Sequence, residues 1–124
     1  MGFNDEFRDR TKKFALRIIK LYQSLPKSEE ARIIGKQLLR SGTSIGANYR
    51  SATKGRSEKE FISKLSISNE EADETCYWIE LLIESKIVGE VRLKELYNES
   101  VEISKILAVS RKTLLSKVNT SKKT

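Results

Sequence analysis

Residues 40–82 read RSGTSIGANYRSATKGRSEKEFISKLSISNEEADETCYWIELL. The first part is rich in small residues (Gly42, Ser44, Gly46 and Ala47, with Gly35 just upstream) and the last part carries Trp78. Apolar side chains recur at three- and four-residue steps in both parts, the spacing of a helix face. Between them a tight turn falls at Lys54-Gly55-Arg56-Ser57. Two long helices joined this tightly lie antiparallel against each other. Ser57 is placed to cap the second of them, with Glu60 three residues on completing a capping box.

Outward from this hairpin the same pattern continues. The second helix of the chain runs from about Glu29 to Thr53, with Ala31, Ile34, Gly35, Leu38, Gly42, Ile45, Tyr49 and Ala52 inward. A buried helical Gly costs about 1 kcal/mol against Ala, so three on one helix imply that another helix approaches closely. The third helix spans about Glu58 to Lys86 and turns Phe61, Leu65, Ser68, Ala72, Thr75, Ile79 and Leu82 inward. A first helix, Asn4 to Ser24, carries Phe7, Thr11, Phe14, Ile18, Leu21 and Leu25 on one face and stops before Pro26. Ser28 then caps the second helix, with Glu29 and Glu30 in its first turn. Beyond Gly89 a fourth helix, Glu90 to Val118, turns Leu93, Leu96, Ile103, Leu107 and Leu114 inward. The expected architecture is an all-α, antiparallel up-down-up-down four-helix bundle over residues 1–118 as a single domain, with a frayed polar tail at 119–124. Its core would be Phe14, Leu38, Ile45, Phe61, Leu65, Ile79, Leu96 and Leu107.

Composition narrows the function. The 124 residues include no His, which removes most zinc sites and the Ser-His-Asp and Cys-His nucleophile systems. Cys76 is the single cysteine, so no internal disulfide forms and a reducing cytoplasm is the simple setting. Near Ala72 and Ile79 it reads as a small core residue. No apolar run is long enough for a membrane span, and no signal peptide opens the chain. The formal charge is +7, unevenly spread: residues 1–62 hold 14 Lys/Arg against 7 Asp/Glu, residues 63–102 hold 4 against 10, and residues 103–124 hold 6 against 0. Faces of opposite sign are expected on one molecule.

Here the residues reach a known family. Ser44, Ile45, Ala47 and Asn48, then Glu60 to Leu65 as EFISKL, then Glu71 to Leu81 as EADETCYWIEL, resemble the 23S rRNA-intervening sequence proteins, often called four helix bundle proteins. Many members read A-N-I-A-E-G after the small-residue segment. This chain reads Ala-Asn-Tyr-Arg-Ser-Ala at residues 47–52 and is similar to a Tyr-Arg subgroup. The resemblance implies a four-helix subunit assembling into a homopentameric ring, with no enzymatic activity and no cofactor. It extends to accessory proteins of diversity-generating retroelements, basic pentamers that bind nucleic acid and a reverse transcriptase.

Four groups of residues are candidates for a role. Arg32, Lys36, Arg40, Arg50 and Lys54 follow one another at steps of four, four, ten and four, a basic row on one face of the second helix. Lys13, Arg17 and Lys20, with Arg10, flank the apolar face of the first. Such rows suit phosphate contacts with RNA or DNA, and they equally suit a solvated face; they lack the interleaved aromatics of a base-stacking platform. Ile67, Trp78 and Leu81 on the third helix, and Leu16 and Ile19 on the first, leave the core side. A helix apolar on two faces should be buried on both, so these residues form a candidate oligomer interface; the alternative is a broad core in which Trp78 packs at the edge. Asn48 and Asn69 lie beside the small-residue seam, where a buried Asn can fix helix register. Glu70, Glu71, Asp73, Glu74, Glu80 and Glu84 invite a di-metal reading, but ferritin-like sites need Glu-x-x-His pairs and no His is present. An exposed acidic face, or pairing with a neighbour's basic row in a ring, accounts for them better. Two functions stand: a non-enzymatic oligomer that binds nucleic acid, or an assembly or adaptor protein whose ring binds a protein partner.

Overall fold

The computed structural model describes residues 3–123 and folds them into four helices, with no strand among the described residues. They are α1 (Phe3–Ser24), α2 (Glu29–Thr53), α3 (Glu58–Glu84) and α4 (Glu90–Lys123). In packing order α1 lies on α2, α2 on α3 and α3 on α4, and α4 approaches α1 only lightly; the backbones of α1 and α3 stay apart. One continuous core joins all four. Of the eight expected core residues, Phe14, Leu38, Ile45, Leu65, Ile79, Leu96 and Leu107 are buried. Phe61 is the exception: in the first turn of α3, it packs on the rim of the core and is half-buried.

The caps form where the side chains dictate. Ser28 Oγ accepts from the Ala31 N–H, and Ser57 Oγ accepts from the Glu60 N–H at 3.1 Å. Glu60 returns the contact one residue earlier than expected, accepting from the Arg56 N–H at 3.3 Å. At the other end α3 stops at Glu84 rather than Lys86, because Lys86 adopts a left-handed φ of 63°. Its N–H donates to the Ile83 carbonyl and the Val88 N–H to that of Leu82, so the turn satisfies the last carbonyls. A Cβ in this conformation costs about 1–2 kcal/mol. Lys86→Gly is therefore expected to raise subunit stability by about 0.5–1 kcal/mol after the entropic cost of glycine is offset. A urea midpoint that falls would refute it. At the C-terminus α4 continues to Lys123 instead of ending at Val118. No Gly or Pro follows Val118 to stop it. Thr124 of the expected tail lies outside the described residues.

The glycines of α2 face α1, as their cost implied. A methyl at Gly42 would lie 2.9 Å from Ile18 Cγ1, one at Gly35 2.7 Å from Leu25 Cδ1, and one at Gly46 3.1 Å from Thr11 Oγ1. Tyr49, near the same end as Gly46, stacks edge-on against Phe7 and donates to Asn4 Oδ1 at 3.0 Å. The α2–α3 seam uses buried hydroxyls instead. Ser68 Oγ donates to the Ile45 carbonyl at 2.8 Å, and Thr75 Oγ1 to Ser41 Oγ at 3.0 Å. Each buried hydroxyl has a partner and so avoids the desolvation cost of an orphaned one.

Candidate nucleic-acid interface and apolar faces

On α2 the helical repeat carries the basic row onto the side opposite Leu38 and Ile45. Arg32, Lys36, Arg50 and Lys54 are exposed, and none forms an ion pair among the described residues. Arg40 differs. Rotated furthest toward α3, it is clasped by Glu71 Oε2 at 2.8 Å and by Glu74. The two carboxylates neutralise it, and it leaves the row.

The expected helpers on α1 are on another flank. Arg10 donates from Nε to Glu99 Oε2 at 2.7 Å and from a terminal nitrogen to Oε1 at 2.8 Å, a forked bond from α1 to α4. Those bonds hold the Glu99 carboxyl below its ordinary range, against desolvation, and raise the Arg10 guanidinium. Arg17 and Lys20 open onto the α1–α4 cleft beside Ser24, Arg92 and Leu96. Lys13 pairs with Asp9 at 2.9 Å along its own helix. The structure therefore does not bring Lys13, Arg17 and Lys20 beside the α2 row. It brings Arg8 and Lys12 there instead, across a groove from Arg50. They were missed because the apolar stripe of α1 was flanked on its other side by the more regular series Lys13, Arg17, Lys20.

Glu70 and Glu84 are exposed, and the other four acidic residues divide between two neighbours. Glu71 and Glu74 hold Arg40; Asp73 accepts from the Ser104 hydroxyl; Glu80 accepts from the Tyr97 phenol at 2.8 Å. Tyr97 is pushed up to about 12, chiefly by that bond and then by desolvation. Among the described residues no three His, Cys, Asp or Glu converge in a way that could hold a metal ion. Cys76 sits half-buried at the α3–α4 seam rather than in the core, its thiol donating to Ser100 Oγ at 3.2 Å. Burial there pushes the thiol up and away from reactivity. Asn48 donates to the Ser44 carbonyl at 2.9 Å, while the Asn69 side-chain oxygen is buried without a protein partner.

Of the candidate interface residues, Leu16, Ile19 and Ile67 are exposed, Leu16 to 58%. Trp78 does not project outward. It packs half-buried against the core, its indole N–H enclosed and without an acceptor, and Leu81 is also half-buried. Tyr77, stacked edge-on against Trp78, is the more exposed ring at 52%. One residue step on a helix turns about 100°, which is why the neighbour takes the outward position. Leu16 and Ile19 thus stand on α1 and Ile67 and Tyr77 on α3, two helices whose backbones stay apart, while Ile33 on α2 and Val91 and Val109 on α4 are exposed singly. Lys13 and Lys20 lie one turn from Leu16, while Lys12 turns to the α1–α2 groove; Glu70 lies one turn from Ile67, and Glu74, paired with Arg40, one turn from Tyr77. The α1 face is basic; the α3 face, where Lys64 also lies one turn from Ile67, is the more acidic of the two. Among the described residues no helix is long and apolar enough to cross a membrane.

Comparison with known proteins bears on the fold and the family. The family model described as 23S rRNA-intervening sequence protein matches residues 5–109. A crystal structure from Bacteroides thetaiotaomicron VPI-5482, of a protein with unknown function from the S23 ribosomal protein family, is 41% identical. It aligns with a TM-score of 0.81 over 88% of this chain and 97% of that one. No curated protein matches the sequence.

Proposed function

The chain belongs to the 23S rRNA-intervening sequence protein family, and from that premise we propose that it is a non-enzymatic homo-oligomer that binds RNA or DNA through its basic helix faces. The observation that carries this reading is the unpaired row Arg32, Lys36, Arg50 and Lys54. At 1.5 Å per residue it extends about 33 Å along α2. That length covers several phosphates at about 3.4 Å per nucleotide of one strand. The row offers charge without base-reading aromatics, so binding is weakly sequence-specific.

The subunit is read as an antiparallel up-down-up-down bundle. Its support is the order of contacts: Tyr49 meets Asn4, Gly46 meets Thr11, Gly42 meets Ile18 and Gly35 meets Leu25. As numbers fall along α2 they rise along α1. We read the assembly as a ring, a pentamer by family resemblance, in which the basic apolar face of α1 docks on the acidic apolar face of the next subunit's α3. Five copies at +7 carry +35, a field that draws in polyanions at long range. The ring works in the cytoplasm, where its lone thiol stays reduced.

If about six phosphates are neutralised, the logarithm of affinity falls against the logarithm of salt with a slope near −5. Arg32→Glu together with Lys36→Glu is expected to abolish retention of RNA and DNA at moderate salt while the melting curve holds. Arg40 is spared, since a carboxylate there would face Glu71 and Glu74. Wild-type protein that retains no nucleic acid at low salt, or a double variant that binds as well as wild type, ends this reading. One observation favours an alternative. On α4 Lys105, Ile106, Val109 and Ser110 form a shallow, mostly apolar surface, with Val109 exposed. It suits an adaptor that docks a protein partner, such as a reverse transcriptase.

A further inference from the structure

The groove between α1 and α2 is built unlike the rest of the surface. Its lining is Arg8, Lys12 and Ala15 from α1 and Thr43, Gly46, Ala47 and Arg50 from α2, around about 310 Å³. That is room for about ten waters. The floor is made of the small residues that let the helices approach, and the three long side chains on its walls are all cationic. Lys12 and Arg50 have no ion pair among the described residues, and Arg8 shares its charge with Asp5 at 3.0 Å. Thr43 spends its hydroxyl on the Leu39 carbonyl at 2.7 Å and brings no free donor. The groove therefore offers three cationic groups with which to hold a phosphate and no aromatic on which to stack a base.

The α1–α4 cleft also gathers cations, but less usefully. Arg92 there donates to the Ser24 hydroxyl, and Arg17 lies in the field of Glu99. At the α1–α2 groove the cations face one another from two helices whose spacing is fixed by Gly42 and Gly46. Cations converging from two helices hold a compact anion better than a row on one convex helix, because they meet it from two sides.

Resting on the nucleic-acid reading, we infer that this groove is the seat of a backbone phosphodiester, clamped between Lys12 and Arg50 with Arg8 at its mouth. Arg50 belongs both to the groove and to the α2 row, so a strand lying along Arg32 and Lys36 leads into it. The floor admits the sugar-phosphate chain edge-on, and bases stay outside.

The groove can be filled without touching a charge. Ala47 is exposed, and Leu is a good helix former, so Ala47→Leu keeps the fold and narrows the cleft. Salt-titrated binding of a short single-stranded RNA and a short DNA duplex is compared for wild type, Ala47→Leu, Lys12→Gln, Arg50→Gln and Lys12→Gln with Arg50→Gln. Clamping at one phosphate predicts a loss of about fivefold or more for Ala47→Leu and a salt slope reduced by about 1. It also predicts that the double Gln variant loses less than the product of the two singles, since both hold the same phosphate. The Gln pair keeps the test decisive should Ala47→Leu melt early. Binding by Ala47→Leu equal to wild type, or fully multiplicative Gln effects, overturns the clamp and leaves the nucleic-acid reading standing. No binding by wild type overturns both.

Discussion

Replacing Leu65 by Ala is expected to lower subunit stability by about 2–5 kcal/mol. Leu65 is fully buried in the N-terminal third of α3, in a core whose residues are drawn from all four helices. Removing three carbons there forfeits their transfer energy and leaves a void that rigid helices close only in part. Against a total of about 5–15 kcal/mol for a domain of this kind, the loss is a large share of what holds the fold. Val91, 94% exposed on α4, is the matched control: Val91→Ala is expected to stay within about 0.5 kcal/mol. Urea unfolding of both reads the difference. A loss below 0.5 kcal/mol at Leu65 would place it outside the core and undo the inward face assigned to α3.

Why Leu65 could be named from sequence, and Arg40 could not be understood from it, has a physical basis. Burial of the helix stripes follows from a period of 3.6 residues, and the period is a property of each helix alone. So Phe14, Leu38, Ile45, Leu65 and Ile79 were legible, and the small residues of α2 announced the closeness of α1 before the partner was known. Ion pairs depend on the register between helices, which no single-helix pattern encodes. Arg40 keeps perfect step with Arg32 and Lys36, yet a modest further rotation places it over Glu71 and Glu74. Arg10 likewise looks like a member of a basic flank until α4 delivers Glu99 to it.

The site was legible as a sign of charge and not as a shape. Counting cations marked α2 correctly as a basic helix. Which flank of α1 joins it depends on how α1 is turned against the glycine seam, and that put Arg8 and Lys12, not Lys13, Arg17 and Lys20, on the shared groove. The apolar surface tells the same story at finer grain. Trp78 drew attention as a large aromatic, but its indole is enclosed beside the core, and Tyr77 takes the exposed position. Size selects candidates for an interface; only the rotation of the helix selects among neighbours.

The ring proposal makes the second strong prediction, and the diagonal placement of its two faces makes it sharp. A contact between unlike faces is heterologous, so each subunit offers one α1 face and one α3 face and closure needs both. Leu16→Asp spoils the first and Ile67→Asp the second. Both side chains are exposed, so neither variant should unfold the subunit, and each adds a negative charge that the interface must desolvate. Each variant alone is expected to sediment as a monomer at micromolar concentration, where wild type sediments as an oligomer. Mixed together, they should form a dimer and nothing larger. The Leu16→Asp subunit still has its α3 face, the Ile67→Asp subunit still has its α1 face, and one intact contact joins them with no continuation. An isologous pairing of like faces gives the opposite result: each single variant retains one self-pairing face, and mixing creates no new species. Wild-type protein that sediments as a monomer, or variants that keep the wild-type oligomer, would remove the ring and with it the fivefold repetition of the basic row.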